Sequence, residues 1–229
     1  MDISSSLLWA QKILRAAMTY QHLLDHIIIN VDRGLRTVFG KPKGLRANPA
    51  KGCSSEENLT KSEQRHSAGL VRVNHAGEIA AQALYHGQAL TARNPTVKKQ
   101  MDCSAAEEND HLNWCAERLK ELNSHPSYLN TLWYAGSLSI GYLAGALGDR
   151  WSLGFVVETE RQVVRHLDEH LTKLPLKDKK TKIILEKMRE DETYHASVAS
   201  AAGGRELPSV IKKVMAITAK VMTKTAYFI

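Results

Sequence analysis

Two short elements, Glu108-Asn109-Asp110-His111 and Glu192-Thr193-Tyr194-His195, each set a carboxylate and an imidazole three residues apart. On a helix, residues i and i+3 share a face, so each pair can offer an oxygen and a nitrogen to one ion. The flanking residues decide whether that face is wet or dry. Glu108 falls on a stripe with Met101, Ala105, Leu112, Cys115 and Leu119, and Glu192 on one with Leu185, Met188, Ala196 and Ala199. An ionised carboxylate among such side chains is costly unless it is paired, protonated or bound to metal. Each pair also has an upstream companion. Glu78 precedes Glu108 by 30 residues and shares its face with Val71, Ala81 and Tyr85. Before Glu192 stand Glu158 and Glu160, which two-residue spacing points to roughly opposite sides of a helix. Glu160 has Val156, Val157, Val163 and Val164 around it, whereas Glu158 has Arg161, Gln162 and Arg165. Glu160 is therefore read as the inward carboxylate. Four glutamates and two histidines projecting into a helical bundle are the ligand set of a di-iron or di-manganese carboxylate centre, and their oxygen and nitrogen donors suit those metals. Histidine ligands need an acceptor for their outer nitrogen. Asp191 is expected to orient His111, and Glu107 to orient His195; the alternative is that both acids are merely solvated. Tyr85 and Tyr194 read either as hydrogen-bond donors beside the centre or as core tyrosines.

The elements that would carry these residues are helical throughout, with no clear alternating strand segment. An amphipathic arm is expected over residues 7–39, and the stretch 40–57, rich in Gly, Pro, Ser and Lys, reads as a linker. Helices follow over about 58–91, 95–122, 127–147, 151–174 and 177–202, and a last one begins at Pro208. The breaks are Asn94-Pro95, Asn123 to Pro126, Gly148, Pro175 and Gly203-Gly204. Two hairpins, each with one inward Glu and then one inward pair, joined by a long connection, make an all-α, ferritin-like four-helix bundle with a crossover helix and amphipathic N- and C-terminal helices. The expected division is an arm and linker over 1–58 and a bundle over 59–229.

The chain has 229 residues, enough for a core without disulfides, and a formal net charge of +7 from 31 Lys+Arg and 24 Asp+Glu. Residues 30–51 hold six basic groups against one acid, and residues 205–229 hold five against one, which leaves the remaining chain at −2. The basicity belongs to the arms. With aromatic residues at 6% and no strand or groove reader, nucleic acid is not the expected partner. An anionic membrane surface is. Cys53, Cys103 and Cys115 form no CxxC pair, and the N-terminus lacks a signal-peptide pattern, so a cytoplasmic chain is expected. The stretch Leu129–Gly148 carries no charge until Asp149 but holds Gly136, Gly141 and Gly145. It reads as packed or partly membrane-inserted, not spanning, with a dimer surface as the alternative. The last helix is expected to gather Ile211, Val214, Met215, Thr218, Val221 and Met222 on one face, with Lys212, Lys213, Lys220 and Lys224 largely off it, a pattern suited to a membrane interface.

The segments LVRVNHAGEIAAQALYHGQ (70–88), AEENDHL (106–112), ETERQVVRHLDEHL (158–171) and DETYH (191–195) closely resemble the bacterial branch of the demethoxyubiquinone hydroxylases, and so does DRGLRTVFG (32–40). The resemblance covers about residues 25–225. It implies two Fe ions per chain, with Glu78, Glu108, His111, Glu160, Glu192 and His195 as ligands, the set the burial pattern reaches independently. Asn74 replaces an Asp found in some members. The implied reaction is an O2-dependent hydroxylation of a polyprenyl methoxy-benzoquinol in ubiquinone biosynthesis. The implied location is the cytoplasmic face of the cell membrane, held peripherally, with ubiquinone-biosynthesis proteins or further copies of the chain as possible partners. The competing reading is a ferritin-like protein that handles iron or peroxide without hydroxylating a quinol. The missing CxxC argues against its rubredoxin-bearing versions.

Overall fold

The computed structural model describes residues 24–25, 28–53 and 58–229. These described residues divide into two compact units, the first ending at Gly40 and the second running from Lys41 to Ile229. In the first, residues 28–39 are helical, and Arg36 pairs with Asp32 one turn away at 2.7 Å. Most of the arm expected over 7–39 lies outside the described residues, as do residues 54–57 of the expected linker.

The second unit holds α1 (Lys61–Thr91), α2 (Pro95–Glu121), α3 (Asn130–Ala146), α4 (Asp149–Lys173), α5 (Lys179–Ala201) and α6 (Ser209–Phe228). Local chemistry sets their ends. Thr60 and Glu63 form a reciprocal capping box at the start of α1, and Asn94 caps α2 ahead of Pro95. Asn123 closes α2 at a φ of 52°, and the Asp178 side chain accepts from Thr181 N to open α5.

α1 and α2 form one hairpin, α4 and α5 the other, and α3 crosses between them while lying along α1. The architecture is an all-helical, ferritin-like bundle. Two apolar clusters fill it. One gathers Val71, Trp114, Cys115, Leu119, Leu167, Leu185 and Met188. The other gathers Tyr85, Met101, Ala105, Leu153, Val156, Val157 and Ala199. Each bundle helix contributes to both, so the residues midway along each helix lie between two dry plugs.

The glycines of α3 have a packing role. A Cβ on Gly141 would overlap the Leu84 carbonyl, and one on Gly87 would overlap the α3 backbone at Leu138 and Tyr142. The two helices touch backbone to backbone there. The outer side of α3 leaves Leu132, Tyr142 and Leu143 exposed, and Leu147 just beyond its end is exposed too. Among the described residues, no helix is long and apolar enough to cross a membrane.

α6 departs from the single apolar face expected of it. Ile211, Met215, Ala219, Met222 and Ala226 are half-buried or buried, while Val210, Val214, Ile217, Val221 and Phe228 are exposed. The apolar residues cover two arcs, so one packs on the bundle and the other remains outside, bordered by Lys213, Lys220 and Lys224.

Candidate metal centre

α1 carries Glu78 in its middle, α2 carries Glu108 and His111, α4 carries Glu160, and α5 carries Glu192 and His195. All six are buried, from 0% exposure at His111 to 8% at His195. Glu78, Glu108, His111 and Glu192 each offer an atom lying within 4.8 Å of the others, close enough for one ion. His111 Nδ1 lies 3.0 Å from Glu108 Oε2, 3.0 Å from Glu192 Oε1 and 3.6 Å from Glu78 Oε2. His195 Nδ1 lies 3.2 Å from Glu192 Oε2 and 3.4 Å from Glu108 Oε1. Glu108 and Glu192 thus stand between the two imidazoles. Glu160 does not join the group of four; its Oε1 accepts a hydrogen bond from the Tyr85 hydroxyl.

The outer nitrogens of the two histidines face away from this cluster. His111 Nε2 is 3.1 Å from Asp191 Oδ2, and His195 Nε2 is 2.8 Å from Glu107 Oε2. Each acid comes from the opposite hairpin, so each contact ties the two hairpins together across the centre.

The protonation pattern follows from burial and these contacts. Burial pushes Glu78 and Glu160 well above the ordinary carboxylate range, and the charges of Glu108 and Glu192 add to it. Burial acts on Glu108 and Glu192 too, but hydrogen bonds from His111 and His195 outweigh it and hold both low. His195 is pushed up to about 12 against its burial by Glu108 and Glu192, and His111 is raised likewise, with Asp191 the foremost partner. Two imidazolium rings therefore cancel two carboxylates, while Glu78 and Glu160 keep their protons. Two divalent cations could replace four protons, those of Glu78 and Glu160 and one from each imidazolium, with no net charge left in the cavity. The donor set fits: oxygen and nitrogen only, with Glu108 Oε1 buried and met only by the long, poorly aligned approach of His195 Nδ1 at 3.4 Å.

Two expectations need correction. Tyr194 is 65% exposed and lies outside the centre, because two residues beyond Glu192 a helix turns its side chain to the opposite face. Tyr85 is buried and does reach the centre, through Glu160. Glu158 is not a wet-face residue either. It is 5% exposed, accepts from Gln162 and Arg165, and lies 3.8 Å from Lys212 of α6. The outward side of α4 is covered by the last helix, so both glutamates are buried, on different sides.

Two residues beside the centre carry no local signal. Asp110 is buried between Glu108 and His111 and binds Arg46 from the stretch read as a linker. Arg46 in turn reaches Asp191. These partners lie 64 and 145 residues from Arg46 in the chain, beyond the reach of any periodicity.

Residues 65–226 match the family described as ubiquinone biosynthesis protein COQ7. A 3-demethoxyubiquinol 3-hydroxylase of Nitrosococcus oceani is 56% identical over 207 residues, covering 90% of this chain and 96% of the relative. Proteins of the same name from Cupriavidus metallidurans and Acinetobacter baumannii are each 52% identical, covering 89% and 90% of this chain and 99% and 97% of the relatives.

Proposed function

The chain belongs to the COQ7 family of ubiquinone biosynthesis proteins, and on that premise we propose that it hydroxylates the ring of 3-demethoxyubiquinol. The observation that carries this reading to the residues is the buried cluster of Glu78, Glu108, His111 and Glu192, with Glu160 and His195 against it. The reaction replaces a ring C–H by C–OH. One atom of O2 enters the ring, and the other leaves as water with two electrons from an external reductant and two protons. Two Fe ions held by the six residues would supply the reduction of O2 that this insertion needs.

The protein's own groups divide the work. Glu108 and Glu192, each within 3.4 Å of both imidazoles, would hold ions on either side. Glu78, which meets His111 alone of the two histidines, and Glu160, tied to Tyr85, serve the two ends. Asp191 and Glu107 hold the Nε2 protons of His111 and His195, which leaves each Nδ1 free to face the ions. The Tyr85 hydroxyl keeps its own proton, since burial and Glu160 raise it well above the ordinary tyrosine range, and donates to Glu160. The apolar clusters on either side exclude water from the reacting atoms.

A polyprenyl tail keeps the substrate in the bilayer, so the enzyme works at the cytoplasmic face of the cell membrane, held peripherally. The exposed stripe Val210, Val214, Ile217, Val221 and Phe228 with its bordering lysines supports this, as does the uncharged outer side of α3. Further copies of the chain, or other proteins of the same biosynthesis, are partners compatible with those surfaces. Expression in a strain lacking the hydroxylation tests the function. Quinone profiling is expected to find ubiquinone restored. Persistent demethoxyubiquinone with the protein expressed would overturn the reading.

A further inference from the structure

The two histidines of the centre have outer partners that differ in a way the repeated hairpins do not foreshadow. Asp191 Oδ2 is shared between His111 Nε2 at 3.1 Å and Arg46 Nη1 at 2.8 Å, and Asp191 Oδ1 pairs with Lys187 at 3.0 Å. Arg46 Nε pairs with Asp110 Oδ2 at 2.5 Å. The other oxygen of Asp110 takes the backbone N–H groups of Leu45 and Arg46, at 2.5 and 3.0 Å. The guanidinium also lies 5.0 Å over the Trp114 ring, which itself stands 5.2 Å from the His111 ring. One planar cation thereby joins α2 to α5 through the residues adjacent to the ligands of both carboxylate–histidine pairs. On the other side, Glu107 is 54% exposed and meets no lysine or arginine among the described residues; His195 is its contact.

We propose that Arg46 is a positioning residue for the metal centre: by gripping Asp110 and Asp191 in one fork it fixes His111, and it makes the two metal positions unequal in affinity. This rests on reading the six buried residues as a two-metal site. Asp191, held by an imidazole, a guanidinium and an ammonium, cannot rotate away from His111, so that ring waits in one orientation and one tautomer. Glu107, held by His195 alone and open to water, fixes its histidine less well. Ligands already in place lose less freedom when an ion binds, so the His111 position takes the first ion. The fork requires arginine: two carboxylates are met by two different nitrogens of one rigid plane, which the single ammonium of lysine cannot copy. Arg46 is not needed merely to hold its own segment down. Ala50 is buried in the apolar cluster with Trp114 and Leu119, and Asn48 donates to Glu117 at 2.8 Å, so residues 41–53 have independent anchors.

The test is titration of the metal-free full-length protein with Co2+, followed by calorimetry and by the visible absorption of the bound ion. Wild type is expected to bind in two resolved steps. Arg46→Ala should weaken the tighter step by about 10–100-fold, the usual loss when an outer partner of a ligand is removed, and leave the weaker step unchanged. Arg46→Lys should recover only a small part of that loss. Glu107→Ala should weaken the second step instead, and Asn48→Ala, which loosens the segment but spares the fork, should change neither. If Arg46→Ala does not fold, Arg46→Gln carries the same expectation. Equal steps in wild type, or an Arg46 variant that shifts both steps alike or neither, overturns the proposal. Absence of any Co2+ binding by wild type would instead overturn the metal reading beneath it.

Discussion

Glu108 and Glu192 are the residues on which the centre depends most, since each touches both imidazoles and lies at 1% exposure. Replacing either by Ala removes a carboxylate that stands between the two imidazoles. The expected result is loss of most bound iron, measured by elemental analysis on folded protein, and loss of hydroxylation with it. Iron retained in both variants would contradict the assigned ligands. These glutamates were legible in the sequence because burial is written locally: an acid inside an apolar helical stripe stands out. Asp191 and Glu107 were expected beside the histidines on a different sign, their matching positions one residue before each ligand glutamate, and the structure has them at 3.1 and 2.8 Å from the two Nε2 atoms. The burial rule misled elsewhere. It misread Glu158, because the outer face of α4 is covered by a helix some 50 residues further on. Arg46 and Asp110 left no trace, since their meeting depends on where an irregular segment happens to lie down.

At the level of elements, α3 is held on α1 by backbone contact at Gly87 and Gly141. Gly141→Val forces methyl groups against the Leu84 carbonyl, and overpacking of this kind costs about 1–3 kcal/mol. A lowered melting temperature without loss of helical signal at 20 °C is expected, the temperature being chosen as roughly ambient. The glycines themselves were visible in the sequence; that they meet α1 and not a lipid or a second copy was not, because a small-residue stripe does not name its partner. A second device lies near the end of α4. His166 and His170, one turn apart with ring centroids 3.8 Å from each other, are kept neutral chiefly by burial, with Lys173 nearby working in the same direction. Their values fall to about 4 and about 2 from an unfolded value near 6.5. The unfolded chain therefore binds more protons below that value, so stability is full above it and is lost as pH falls. Between pH 7 and pH 5 the pair is expected to cost on the order of 4 kcal/mol, about 2 for each ring, read as a falling denaturation midpoint. The double variant His166→Gln with His170→Gln should flatten that slope; an unchanged slope would remove the pair as its cause.

For the whole molecule, the charge is unevenly distributed along the chain. The carboxylate-rich body is slightly negative, and the excess of positive charge lies on residues 30–51 and 205–229. The latter segment also exposes the apolar stripe of α6. Binding to vesicles containing anionic lipid is expected, weakening with salt and with loss of anionic lipid. Replacing Lys213, Lys220 and Lys224 together by Ala should reduce it on the order of 100-fold, from about 1 kcal/mol for each basic residue near the surface. Equal binding by the triple variant would send the docking surface elsewhere. The helical count, the two hairpins and the crossover were readable from caps, prolines and periodicity; the double-sided α6 was not, since its sequence alone cannot divide one broad apolar arc into a packed half and a free half. The central claim, that the buried carboxylate–histidine centre inserts an atom of O2 into a quinol ring, is tested most directly by isotope. Iron-loaded protein, a reductant and a short-chain demethoxyquinol are incubated under 18O2, and the product is weighed by mass spectrometry. One 18O in the new hydroxyl group is the predicted result. A hydroxylated product without the label, or no product from fully iron-loaded protein, would contradict the account.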